Sequence, residues 1–400
     1  VKQSSVATTK PWLAAEQELC RLIAMPSVSS TSNETIASHV LNRMEQLGFV
    51  VEHSTYTDGE GLVKHNVVGR RDPVTAIPPS SILENGLAYF CHSDVVPASR
   101  WTGPGGDPFD PIQTDDRLYG RGACDMKGSL VAMLTAISRV NVAEQSAPLW
   151  FVCTADEETH LLGAQHLFQD SDAYAQIASV DPVAIIGEPT RLNVVHGHKG
   201  IVGVSIRSRG RAAHSSTTQG INANVKMVPM LQRILQLHQQ CIDDPDLRND
   251  RFDPPTLTWN FGVSDQAVAV NVVPDQSTAW VTFRPMPNVD GQSLMDALRT
   301  EADRLGLDFE VVGRSEPLWT DIDAPVVDAF GDVAANYSQV RNPQTVCYAT
   351  DGSIFTNLSQ RIVCGPGDIA QAHTSDEFIE LDQLRRGVDC FTDAIRRFAC

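Results

Sequence analysis

No apolar run in this chain approaches the length needed to cross a bilayer, no two cysteines stand at Cys-x-x-Cys spacing, and basic residues are few. Each absence removes a class of protein. Without a long apolar run, a helical membrane protein is excluded. The nine cysteines are scattered, and an odd number without paired spacing suits a reduced cytosol better than a disulfide framework. Cys91 and Cys153 fall within apolar runs, where a thiol is ordinary packing. Lysine and arginine number 31 against 49 aspartates and glutamates, a formal charge of −18, so clustered cations for phosphate are missing and nucleic acid is not a partner. The opening segment Val1–Lys10 is polar and lacks the apolar core of a signal peptide. With the reduced cysteines, this predicts a cytoplasmic protein. Internal repeats and low-complexity tracts are absent as well.

What is present begins with length. Four hundred residues exceed one ordinary core, so two domains are expected. Trp12–Met25 carries apolar residues at helical spacing and stops at Pro26. A second amphipathic stretch starts at Asn33-Glu34 and ends at Gly48. Phe49–Tyr56 alternates like a strand, and the proline-rich stretch 72–85 reads as a surface loop. Leu87–Cys91, Leu149–Cys153 and Val183–Ile186 are short apolar runs, with a helical pattern over Gly128–Val140. Strands alternating with helices predict an α/β domain with a mixed, largely parallel sheet and helices on both faces. After Gly197 the texture changes. Ile201–Arg207, Ala279–Phe283 and Phe309–Val312 read as strands, and 222–239 and Gln292–Leu305 as helices. That predicts an α+β insert with one sheet face exposed. The expected division is therefore 1–196 with 313–400, interrupted by 197–312.

Chemistry-bearing residues gather where the apolar runs stop. His92 and Asp94 have i, i+2 spacing, which on a strand points both side chains one way. A metal-bound histidine usually gives its second ring nitrogen to a carboxylate or carbonyl; Asp94 can provide that, or anchor the turn at Val95-Val96-Pro97. Asp125 lies in a glycine-flanked turn that opens a helix, as a ligand or as a helix N-cap. Asp156-Glu157-Glu158 follow a buried strand, and three adjacent acids need a cation or open solvent. Glu188 again ends a strand, and His373 follows a glycine-rich bend and supplies a second imidazole. The set can hold two zinc-like ions and leaves one carboxylate over as a base.

Read in order, His92–Pro97, Asp107–Gly128, Thr154–Thr159, Gly187–Thr190, His198–Gly200, Ala212–Ser216 and Gly365–Phe378 resemble the two-zinc aminoacylase, carboxypeptidase and deacylase family. Within it, the wording of these stretches is most similar to members that deacetylate N-acetylornithine. The resemblance implies a catalytic metal-binding domain, 1–196 and 313–400, and a lid or dimerisation domain, 197–312. It implies two divalent ions, zinc first, with cobalt or manganese as alternatives. Asp125 would bridge them ahead of a cis peptide, His92 and Glu188 would hold one, and Glu158 and His373 the other. Asp94 would stand behind His92, and Glu157 would be the general base. His214, on the lid, would reach the partner's active site in a homodimer and steady the oxyanion. Asn271 and Arg284 would meet the substrate, with plain readings beside these as a turn residue and a surface cation. Lys199 would face the cleft, and Thr350 and Gly352 would flank the substrate amide.

The expected activity is metal-dependent hydrolysis of the amide bond of an N-acyl-L-amino acid, first N-acetyl-L-ornithine to L-ornithine and acetate. A dipeptidase, a glutamate-releasing carboxypeptidase or a succinyl or formyl deacylase would use the same centre. A binding protein that has lost catalysis is of another class, and it would be marked by a missing ligand or base.

Overall fold

The three short apolar runs form the middle of a mixed sheet, as β3 (Leu87–His92), β6 (Leu149–Thr154) and β7 (Val183–Ile186). Every residue in them is buried. Strands covered on both faces have no wet side, so their sequences run apolar instead of alternating. The coordinates are a computed structural model that describes residues 11–265 and 269–400. The polar opening segment Val1–Lys10, read above as free of a leader, lies outside the described residues.

The chain divides into two compact units. One is the described part of Val1–Gly197 with Thr320–Gln344 and Thr350–Cys400; the other is His198–Trp319 with Thr345–Ala349. In the first, β15 (Arg361–Val363) completes four parallel strands in the order β6-β3-β7-β15. The strands β1 (Val50–Thr57) and β2 (Val63–Arg71) extend one side antiparallel, and β8 (Val195–His198) meets β15 antiparallel on the other.

Helices cover both faces. Tyr89, Phe151 and Ile185 pack toward α1 (Pro11–Ile23), α3 (Lys127–Ser138) and α9 (Leu381–Ala399), and the same core takes in α2 (Glu34–Gln46) and α8 (Pro325–Ala334). Each fully buried Leu, Ile or Phe there contributes about 1.5–3 kcal/mol. On the opposite face, Phe90 meets Phe355, which in turn meets Tyr174 of α5 (Asp172–Val180), just after α4 (Leu162–Asp170). The strand β2 was invisible to periodicity because Lys64, His65 and Asn66 are buried in succession. Their side chains are held by hydrogen bonds, Lys64 to Asp156, His65 to His53 and Asn66 to the Gly163 carbonyl.

A small antiparallel sheet has the most bearing on the site. Its order is β16-β5-β4, from β4 (Ile112–Gln113), β5 (Arg117–Tyr119) and β16 (Phe378–Glu380). It staples the segment just after His373 to the segment just before Asp125.

The second unit is an antiparallel sheet in the order β10-β11-β9-β12. Its strands are β9 (Ile201–Arg209), β10 (Trp259–Ser264), β11 (Gln276–Phe283) and β12 (Asp308–Ser315). Residues Val202, Val204, Ile206, Ala279 and Val281 alternate inward against α6 (Ala223–Asp243) and α7 (Gln292–Leu305). Two short strands, β13 (Leu318–Trp319) and β14 (Gln344–Val346), are not part of this four-stranded sheet. Among the described residues, no helix is long and apolar enough to cross a membrane.

Candidate metal centre

His92 ends β3, and its surroundings fix which ring nitrogen can bind a cation. Nδ1 lies 2.9 Å from the Asp94 carbonyl oxygen. A carbonyl only accepts, so in the neutral ring the proton sits on Nδ1 and the Nε2 lone pair faces the other way. There Nε2 meets Asp125 Oδ1 at 3.1 Å and Glu188 Oε1 at 3.9 Å. Asp125 turns its second oxygen to the other imidazole, with Oδ2 3.6 Å from His373 Nε2. His373 Nε2 also lies 2.9 Å from Glu158 Oε2.

Two triads result, His92-Asp125-Glu188 and Asp125-Glu158-His373, each with its ligand atoms within 4.8 Å of one another. Asp125 belongs to both. It does not cap the helix, since α3 begins after Met126 without a side-chain cap. The Asp125–Met126 peptide is cis.

The donor set suits divalent ions. Imidazoles and carboxylates in threes, without cysteine, match zinc, cobalt or manganese in open catalytic sites. Like charges at this spacing cost about 3–4 kcal/mol per pair at an effective dielectric of 20, which a bound cation would reverse. The titration directions express the same crowding. Burial raises Glu188 well above the carboxylate range, and the charge of Asp125 adds to it. Burial likewise lifts Glu157, with Glu188, Asp351 and Glu158 adding to the rise and His92 opposing it. For His92, burial favours the neutral ring, yet hydrogen bonds to Asp125 and Asp94 prevail and raise it well above its usual value.

The run Asp156-Glu157-Glu158 is divided by its partners. Asp156 adopts φ +53 and turns into the fold, where Lys64 Nζ and Tyr56 Oη each lie 2.8 Å from its carboxylate. Asp94 receives the amides of the next two residues, Glu157 at 3.1 Å on Oδ1 and Glu158 at 3.3 Å on Oδ2, and Ser29 Oγ at 2.8 Å. So Asp94 supports both His92 and the acidic turn. Glu158 joins the second triad, and Glu157 is the carboxylate outside both.

Thr350 is buried and accepts the Gly352 amide, and the Gly352 carbonyl accepts Arg361 Nη1. Asp351 stands between them in the same loop. It is buried, accepts Thr154 Oγ1 at 2.6 Å, and burial pushes its carboxyl up to about 7.

The remaining residues lie in the second unit. His214 is exposed, and its Nδ1 takes the Ser216 amide at 3.2 Å. Nδ1 therefore carries the lone pair, and the neutral ring's proton is on Nε2. Asn271 is adjacent, its carbonyl receiving the Ser215 amide. Arg284 donates its backbone N–H to Leu257 and Thr258. Lys199 is buried, and its ammonium donates to the carbonyls of Pro254 and Thr256 at 2.8 and 2.6 Å.

Lys64, Tyr56, Ser29 and Glu377 support the centre and escaped the sequence reading.

Two imidazole–carboxylate triads joined by one aspartate, with a further glutamate alongside, define a metal-dependent hydrolase. Residues 88–397 match Peptidase family M20/M25/M40, and the chain belongs to that family. It is 32% identical to an acetylornithine deacetylase of Myxococcus xanthus over 98% of this chain and 99% of the relative. It is 30% identical to that of Vibrio parahaemolyticus, over 95% and 97%. In fold it resembles the M20 family metallo-carboxypeptidase Sso-CP2 of Sulfolobus solfataricus, with TM-score 0.73, 18% identity and 96% and 98% coverage. Human carnosine dipeptidase 1 is similar, with TM-score 0.69, 15% identity and 97% of both chains covered. The chain is thus a metallohydrolase of amide bonds acting on a small molecule, and its centre is suited to two divalent ions.

Proposed function

We propose that the chain hydrolyses N-acetyl-L-ornithine to L-ornithine and acetate. The observation that carries this reading is the doubled triad with Glu157 left over beside it. The choice of acyl amino acid is supported by the near full-length similarity to acetylornithine deacetylases. His92, Asp125 and Glu188 would hold one ion, and Asp125, Glu158 and His373 the other, zinc being the first candidate.

When bound, the ions would polarise the amide carbonyl and lower the pKa of a water toward neutrality. Glu157 takes the proton from the attacking water and returns it to the departing nitrogen, a role worth about 10²–10⁴ in rate. Asp94 holds the Glu157 amide and so fixes where its side chain starts. His214 donates from Nε2–H to the developing oxyanion, which in comparable sites is worth about 3 kcal/mol. Asn271, Arg284, Thr350 and Gly352 are assigned to the polar ends of the substrate, whereas Lys199, expected to face the cleft, is buried with its ammonium held by the Pro254 and Thr256 carbonyls.

We assign the second unit as lid and dimer contact, with His214 serving the partner's site. Two features support a second copy there. Val225, Val228, Leu235 and Ile242 are exposed along α6, and β10 is an edge strand with unused pairing groups among the described residues.

A side-by-side rate comparison tests the substrate. Zinc- or cobalt-loaded protein should prefer N-acetyl-L-ornithine over succinyl-diaminopimelate, formyl amino acids and dipeptides. A higher kcat/KM on a dipeptide would move it to the dipeptidases, and no release of amine from any of them would sink the reading.

A further inference from the structure

Glu377 belongs to neither triad, yet it is fully buried four residues beyond His373. Its carboxylate receives four hydrogen bonds. Oε1 accepts the backbone amides of Cys124 and Asp125, at 2.9 and 3.0 Å. Oε2 accepts the Gly122 amide at 2.9 Å and Arg121 Nη1 at 2.8 Å. Its backbone carbonyl accepts the Gly120 amide at 3.1 Å, and Arg121 Nη2 reaches back to the carbonyl of Thr374, next to His373, at 3.0 Å.

We infer that Glu377 is a positioning residue for the metal centre, the group that shapes the Gly122–Asp125 turn and sets its distance from His373. The inference rests on the proposed centre and goes beyond its ligand set. Only an ionised carboxylate offers acceptors in all four directions. A glutamine has one acceptor oxygen, and its NH₂ would point at amide donors on whichever side it took. The segment that supplies His373 therefore also grips the backbone that presents Asp125, so the ligand shared by both triads is held by its own N–H. Outer-shell groups of this kind tune metal affinity. Arg121 accounts for one of the four bonds, so an ion pair alone does not explain the arrangement.

The test is zinc titration of chelator-stripped protein, parent and variants, followed calorimetrically, with thermal unfolding of the stripped forms alongside. The parent should bind two zinc ions. Glu377→Gln should weaken both by about 10–100-fold, lower kcat and leave KM within about twofold, since no substrate contact is touched. Glu377→Asp, which keeps the charge but withdraws it from the turn, should weaken zinc in the same sense. Arg121→Gln should lose less zinc affinity than Glu377→Gln, because the backbone amide bonds stay.

Parental zinc affinity in folded Glu377→Gln overturns the inference. If that variant does not fold, parental affinity in Glu377→Asp overturns it instead. Loss of folding in both assigns Glu377 to stability alone. An equal loss in Arg121→Gln reduces it to an ion pair. A parent that binds no zinc removes the proposed centre itself, which is a separate outcome.

Discussion

The two triads share Asp125 and have matching ligand types, one imidazole and one private carboxylate each, but they are built in opposite ways. The inner triad lies at the ends of central strands. His92 closes β3 and Glu188 follows β7, with relative exposures of 1% and 5%. The outer triad is built from turns. Glu158 follows the left-handed Asp156, and His373 is itself left-handed at φ +62, with its side chain 56% exposed. A non-glycine residue in that region costs about 1–2 kcal/mol. The inner ligands are thus preorganised and desolvated, whereas the outer triad is held by loop geometry and opens to solvent at His373, its Glu158 side chain being only 8% exposed. Burial strengthens a charge–ion contact and slows exchange, so an ion in the inner triad would be held more tightly and one in the outer triad would exchange more readily.

The harshest way to break this comparison is to remove what the triads have in common. Asp125→Asn should lose both ions and reduce turnover to background, as read by metal analysis after dialysis. One retained ion would show that the triads do not depend on a shared carboxylate.

Next comes the residue outside both. Glu157→Ala should keep two ions and lose about 10²–10⁴ in kcat; a variant with near-parental turnover would reassign the base.

The contrast itself is sharpened by paired substitutions. His92→Ala should weaken its ion more than His373→Ala weakens the other, by at least about tenfold, equivalent to about 1.4 kcal/mol. In the parent, a limiting chelator should strip one ion quickly and the other slowly, and His373→Ala should speed only the first phase. Equal losses would mean that burial does not distinguish the sites.

The smallest effect concerns pH. In the stripped protein, burial raises Asp351 to about 7 from an ordinary value near 3.8. The folded state then keeps that proton longer than the unfolded chain. Stability from this group is present in full below about pH 4 and is lost as pH rises through about 7. Urea midpoints should fall across that window, and Asp351→Asn should flatten the slope.

Much of this was open to reading from residues. The three buried strands and the ligands at their ends follow from local patterns, because a strand between two helical layers must be apolar throughout. His92, Asp125, Glu158, Glu188 and His373 could be picked out as ligand types. The strand β2 could not, because Lys64 and Asn66 are buried through partners that lie far off in sequence. Glu377 stood within the Gly365–Phe378 stretch, but its role could not be read, because its partners are backbone amides, which leave no mark on composition. The second unit's sheet was legible in part. The edge strand β10 was passed over although Trp259, Phe261 and Val263 alternate with Asn260, Gly262 and Ser264.

By itself, the sequence determined which side chains were available and that His92, Glu157-Glu158 and Glu188 would follow strand ends, since hydrophobic periodicity and turn chemistry act between near neighbours. The tertiary structure alone decided which acid joins a triad and which is left over. It also decided that Asp156 is neutralised by Lys64 and that one aspartate serves both imidazoles. Those outcomes depend on strand order and on hydrogen bonds between segments more than 200 residues apart, such as His373 to Glu158 with a separation of 215.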